Sequence, residues 1–284
     1  MWPLDQMGQM LTRSFGRHTP ECLRIGRYSV ERWCPTDGDL AMQASVPVPP
    51  DLTSNPMALV AAISQLYPAQ PRSRVCVVLE SIWLPVILVE TGSSLWSQSQ
   101  AEALMRHRLQ ELYDRGSDPV TAWDVRSNFR AGDSHALGYG MSPHVQNALN
   151  QAADAVGVKW AAVVPALAWA WQRFQPASLM PHKTGWWGWQ EQDRLLLARV
   201  ASGQVTGLHP GLAPIDAMHD IQGLVRADAI RLGIEGAPEA ICMAVWTSHV
   251  RTSTSDTVKC LSVEKHRPAA TGIDAIKNIR RAAA

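Results

Sequence analysis

The stretch from Ser142 to Phe174, SPHVQNALNQAADAVGVKWAAVVPALAWAWQRF, constrains the fold more than any other part of the chain. Ser142 suits an N-cap, and Pro143 suits the first helical position, where a missing N–H costs nothing. Val145, Leu149, Ala152, Ala153 and Val156 recur at helical spacing, and Gly157 offers a left-handed stop. Val158 to Val164 has the length of a strand and is apolar except for Lys159. Pro165 then opens a second helix of small residues that reaches Trp171. A helix feeding a buried strand predicts a covered, parallel sheet, and therefore an α/β fold.

At 284 residues the chain is long enough for two lobes or two domains. Hydrophobic residues at 46% and charged residues at 18% make a globular composition and exclude wholesale disorder. A net charge of +1 supplies no global field to recruit nucleic acid or acidic lipid. The five cysteines (22, 34, 76, 242 and 260) are widely spaced with no C-x-x-C pair. That spacing argues against a disulfide framework or zinc knuckle and leads us to expect a reducing cytoplasm. The opening MWPLDQMGQM has no apolar signal core, and the longest apolar run is the twelve residues from Trp160 to Trp171. A membrane helix needs about 20, so a soluble chain is expected.

Along the chain, residues 1–20 read as flexible. Leu23 to Ser29 and Leu40 to Val48 have strand character, separated by the turn cluster 35–39. Met57 to Leu66 reads as a helix capped by Ser54 or Asn55. Arg74 to Leu79 and Ile82 to Glu90 are apolar and predict a hairpin across Glu80-Ser81. Ser99 and Glu102 form an S-x-x-E capping box before an amphipathic helix with Ala101, Leu104, Met105, Leu109, Leu112 and Tyr113 on its apolar face. Val120 to Asn128 and Ala136 to Gly140 read as two strands joined by Ala131-Gly132-Asp133. After a proline-bearing stretch, 175–184, three strands are expected at 185–190, 195–201 and 204–208, a helix at 217–232 and a strand at 240–246.

The phrases Ala155-Val156-Gly157-Val158 and Val164-Pro165-Ala166-Leu167-Ala168 resemble the actin-like proteins of the PilM and GspL type. So does RVCVVLESIWLPVILVE when followed by EALMRHRLQELYDRG and TAWDV. The likeness spans about residues 74–210. It implies a two-lobed actin-like (ribonuclease H-like) α/β fold with mixed sheets. The domains would then be a flexible 1–20, a first lobe at 21–174 with an inserted hairpin–helix subdomain, a linker at 175–184, a second lobe at 185–247, and a weakly structured basic tail at 248–284. The resemblance also implies a cytoplasmic component of a type IV pilus or type II secretion machine. Such a component would bind the cytoplasmic peptide of an inner-membrane subunit, and a motor ATPase as a further partner, with no nucleic acid and only indirect membrane attachment.

ATP-binding actin-like proteins use a D-x-G-x-x-[ST]-type turn between the first two strands of each lobe. Phosphate needs backbone N–H groups and a hydroxyl there, and magnesium needs an Asp. The second-lobe turn here, Trp189-Gln190-Glu191-Gln192-Asp193-Arg194-Leu195, has neither Gly nor hydroxyl. The first-lobe turn, read at Ser29 to Trp33 (SVERW), is equally unsuited. The expectation is a pseudo-ATPase with no catalytic residue, cofactor or metal. The rival is a divergent ATPase or sugar-kinase-like enzyme, for which Asp133 or Asp193 would be the poised carboxylate. A third reading is an interaction module with no secretion link.

No Walker A, G-x-S-x-G, G-x-G-x-x-G or H-E-x-x-H motif occurs. His18, Cys22 and Cys34 lack an evident fourth ligand, and Asp133-Ser134-His135 are neighbours that cannot converge as a triad does. His135 and His144 read as surface or capping residues. On a strand Trp187 and Trp189 share one face and Trp186 the other. Two readings stand for these three rings: burial in a core, or one ring exposed as an anchor for a partner. Arg280 and Arg281 in the basic tail are the other candidate partner contacts.

Overall fold

A computed structural model describes residues 21–36, 39–49, 56–67, 74–92, 97–113, 122–174, 184–191, 194–201, 204–212, 226–231, 241–245 and 261–262. In chain order the elements are β1 (Glu21–Ile25), β2 (Ser29–Thr36), β3 (Asp39–Pro47), α1 (Pro56–Leu66), β4 (Arg74–Leu79) and β5 (Val86–Glu90). Then come α2 (Gln98–Tyr113), β6 (Asp124–Ser127), β7 (His135–Met141), α3 (Pro143–Val156), β8 (Lys159–Pro165) and α4 (Ala166–Phe174). Strands β9 (Thr184–Gln190), β10 (Leu195–Ala201), β11 (Gln204–Leu212), β12 (Ile241–Val245) and β13 (Leu261–Ser262) follow. Residues 226–231 are helical. The described residues fall into two compact units that divide within α4, after Trp169.

The first unit carries a five-stranded sheet ordered β3-β2-β1-β4-β8. Its first three strands are antiparallel, while β1–β4 and β4–β8 run parallel. In β4 every residue from Val75 to Leu79 is buried, as a central strand covered on both faces requires. One face packs Leu23, Ile25, Val75, Val77 and Leu79 against Leu59, Ile63 and Leu66 of α1 and Leu149, Ala152 and Val156 of α3. Arg32 ties α1 to this face: its guanidinium lies 4.7 Å from the Tyr67 ring centre and donates to the Leu66 carbonyl at the helix end.

Helix α3 starts and stops where its end signals place it. The Val145 amide donates to Ser142 Oγ at 3.4 Å, Pro143 opens the helix, and Gly157 sits at φ 69°. The expected parallel strand and following helix are β8 and α4.

Four sequence expectations need correction. Strands β4 and β5 do not pair as a hairpin across Glu80-Ser81. Strand β4 enters the main sheet, and β5 pairs with β7 in a separate sheet ordered β5-β7-β6. Both strands are apolar on both faces, so alternation gave no clue to their partners. Residues 29–33 are strand β2, and strand β1 ends at Ile25 rather than Ser29. The capping box of α2 is Ser97-x-x-Gln100, not Ser99-x-x-Glu102: the Gln100 amide donates to Ser97 Oγ and the Ser97 amide to Gln100 Oε1. Glu102 instead accepts from Gln98 one turn back. At the other end of α2, Leu112 and Tyr113 are exposed; the buried stripe is Ala101, Met105 and Leu109. That stripe lies close on β7, because a Cβ on Gly138 would stand 2.2 Å from Met105 Sδ and 2.5 Å from the Arg126 carbonyl.

The second unit repeats the strand order as β11-β10-β9-β12-β13, with β9–β10 and β10–β11 antiparallel and β9–β12 parallel. This is the plan of the first sheet up to its fourth strand. The fifth differs: β13 pairs antiparallel with β12. Among the described residues no helix is long and apolar enough to cross a membrane.

Candidate functional site

In open α/β sheets, ligands gather at the carboxyl ends of parallel strands. In the first unit that place is the end of β1 and β4. Strand β1 turns at Gly26-Arg27-Tyr28 into β2, and the backbone of this turn is heavily committed. The Gly26 amide donates to the Ser29 carbonyl at 2.9 Å, and the Gly26 carbonyl accepts from the Trp83 indole at 2.9 Å. The Ile25 carbonyl accepts from the Glu80 amide, and the Tyr28 carbonyl from the Val48 amide.

Beside the turn lies a buried ionic cluster. Arg24 on β1 projects from the face opposite Leu23 and Ile25, and it stands across from Glu31 on β2. Arg24 Nη1 donates to Glu31 Oε2 at 3.2 Å, and Nη2 donates to Glu80 Oε1, in the turn after β4. The side chains of Arg24 and Glu31 are 0% exposed and that of Glu80 is 1% exposed. Ser29 Oγ and the Trp33 indole also donate to Glu31. Buried charges persist only when paired and hydrogen-bonded in this way. A magnesium nucleotide, which the family resemblance implies for catalytic members, does not fit these residues. A fixed guanidinium holds both carboxylates, and the Gly26 amide is turned to Ser29.

The second unit holds a different cluster. Asp228, in the helical residues 226–231, is 5% exposed. It accepts from the Trp186 indole at 2.9 Å and from Arg231 Nη2 at 3.0 Å, and it lies 3.1 Å from His209 Nε2 and 3.5 Å from Arg199 Nη1. Burial pushes the Asp228 carboxyl up, but the hydrogen bonds from Trp186 and Arg231 and the electrostatic pull of His209 and Arg199 outweigh it, so the net shift is downward. This aspartate is held ionised as the hub of three strands and a helix.

The candidate residues read from the sequence land as follows. Trp186, Trp187 and Trp189 are all buried, at 1%, 0% and 0% exposure. Trp186 turns to the Asp228 face, and Trp187 meets Trp171 of α4 edge-on with ring centres 5.2 Å apart. A docking role would require one of these rings to leave the interior. Arg280, Arg281, Asp193 and His18 lie outside the described residues, as do Ser54, Asn55 and the 175–183 stretch. Asp133 accepts from the Arg130 amide in a turn, and Ser134 Oγ bonds His135 Nδ1 on the surface. Cys76 is inert as a nucleophile, since burial pushes its thiol up to about 12. Among the described residues no cluster of three metal-ligating side chains occurs.

Sequence reasoning missed Arg24, Glu31, Glu80 and Asp228. A signal existed for the first two: a charge inside a buried strand must find a buried partner. Arg24 in CLRI and Glu31 in SVERW, seven residues apart, carry it.

No protein-family model matches the sequence, and no curated protein matches it. Solved structures do resemble it. One is a Bacteroides thetaiotaomicron protein with an actin-like ATPase fold and unknown function, at 11% identity and TM-score 0.53, covering 80% of this chain and 82% of that one. Another is a PilM–PilN type IV pilus biogenesis complex, at 12% identity and TM-score 0.51, covering 83% and 84%. At these identities the likeness shows the fold, and the fold is actin-like.

Proposed function

We propose that this chain is a non-catalytic, cytoplasmic scaffold of the PilM type, serving a type IV pilus or type II secretion-like assembly. It would bind the cytoplasmic segment of an inner-membrane subunit and, in the same machine, a motor ATPase. The observation that carries the non-catalytic part is the Arg24–Glu31–Glu80 cluster beside a turn whose amide and carbonyls are engaged. The partner rests on the likeness to a structure of PilM with PilN, together with the pilus-type phrasing around Gly157 and Pro165.

The work of such a scaffold is recognition: an extended peptide held through main-chain pairing and side-chain pockets, with no bond made or broken. The rival reading, an ATPase or sugar-kinase-like enzyme with Asp133 or Asp193 as its poised carboxylate, finds less support at the end of β1 and β4, where Glu31 and Glu80 are bound to Arg24. The test is a fluorescence-anisotropy titration of the full chain against peptides from the cytoplasmic ends of inner-membrane pilus and secretion subunits of the same genome. Saturable micromolar binding to one of them, unchanged by ATP, supports the scaffold. Binding to none of them overturns it.

A further inference from the structure

We infer that Arg24 is a built-in counter-cation: its guanidinium occupies a divalent-cation position between Glu31 and Glu80 and makes the first unit independent of any metal. The inference rests on the non-catalytic reading above and gives that reading a physical cause.

Three observations converge. The two carboxylates come from different elements, β2 and the turn after β4, and meet at one point beside the carboxyl end of β1. Each is held by a different nitrogen of the same guanidinium fork, Nη1 on Glu31 and Nη2 on Glu80. All three side chains are buried to 1% exposure or less, where two carboxylates cannot stand side by side without a cation. Hard divalent cations take carboxylate and hydroxyl oxygens. Ser29 Oγ donates to the other oxygen of Glu31, Oε1, at 2.8 Å and so holds that carboxylate in place. Two carboxylates from separate elements therefore converge on a guanidinium where they could otherwise share a cation. Unlike a metal, this cation is covalently attached and cannot be lost to a chelator.

Removing the guanidinium should expose the latent site. The experiment follows thermal unfolding of the full chain, with and without 10 mM EDTA or ~5 mM Mn²⁺, for wild type, Arg24→Ala, and Arg24→Ala combined with Glu31→Gln and Glu80→Gln. We expect the wild-type midpoint to be the same in EDTA and Mn²⁺. We expect R24A to lose about 10 °C in EDTA and to regain at least half of it in Mn²⁺. The triple variant should ignore Mn²⁺, because amides do not replace carboxylates as its ligands.

Mn²⁺ stabilising the wild type, with loss of that effect in E31Q or E80Q, would overturn the inference. So would an R24A chain that does not respond to Mn²⁺, or one that is insoluble in EDTA and in Mn²⁺ alike. An Arg24→Lys chain provides a second reading: it keeps the positive charge, and its midpoint should stay blind to Mn²⁺. These outcomes do not depend on peptide binding, so failure of the scaffold reading and failure of the counter-cation are told apart.

Discussion

In the first sheet a guanidinium, Arg24, sits among two carboxylates; in the second a carboxylate, Asp228, sits among two guanidiniums and an imidazole. The strand order is shared through four strands, yet the buried charges are inverted. The surroundings differ too. All three charged side chains of the first cluster are closed to water, whereas Arg231 and His209 of the second have side chains 68% and 32% exposed. A sealed cluster is all or nothing, since one missing partner strands the others. A half-open one degrades by degrees, because water and salt take up part of each loss.

The comparison breaks most visibly at Arg24. Replacing it with Ala should cost about 3–5 kcal/mol in chemical unfolding, because two buried carboxylates lose the guanidinium that bridges them. A cost below ~1 kcal/mol would show that the cluster is not sealed. Asp228→Ala should cost less, about 1–3 kcal/mol, by stranding the Trp186 indole and leaving two guanidiniums without their shared carboxylate.

Acid should reach the second cluster selectively. Folded Asp228 takes up its proton at lower pH than an ordinary Asp near 3.9, so the unfolded chain binds more protons through that range. Its contribution is complete above about pH 5 and is lost as the pH falls through 4 toward its lowered value. The difference in stability between wild type and Asp228→Asn should therefore shrink below about pH 4, as read in urea titrations.

Within the second sheet, Trp186→Phe should cost about 1 kcal/mol more than Trp187→Phe. Trp186 gives up a bond to Asp228, while the buried Trp187 Nε1 has no hydrogen-bond partner among the described residues. Equal costs would mean that ring volume alone matters. The smallest effect belongs to Arg231→Ala, under about 1 kcal/mol and vanishing in 1 M salt, since its side chain is mostly in water.

What the sequence made legible was local. Ser142, Pro143, Gly157 and Pro165 fix the ends of α3, β8 and α4 through backbone chemistry within a few residues, and those elements form where the residues say. The two-lobed actin-like architecture followed from the same segment and its family resemblance. Pairing across long separations was not legible. Strand β4 meets β1 and β8, about 50 and 85 residues away, and nothing in VCVVL distinguishes those partners from β5.

The clusters divide in the same way. Arg24 and Glu31 are separated by one short turn, and their charges in apolar strands could have been paired on sight. Asp228 gathers residues 186, 199, 209 and 231 from separate elements, so only the fold brings them together. Position 97 taught a narrower lesson. Two overlapping S-x-x-E/Q patterns compete at the start of α2, and the one that wins is set by where the helix begins.

The most direct test of the central claim is a calorimetric titration of the full chain with magnesium-ATP. An actin-like protein whose first-lobe carboxylates are held by Arg24 should give no binding heat up to millimolar nucleotide. Micromolar binding that disappears in the Glu80→Gln variant would contradict the account.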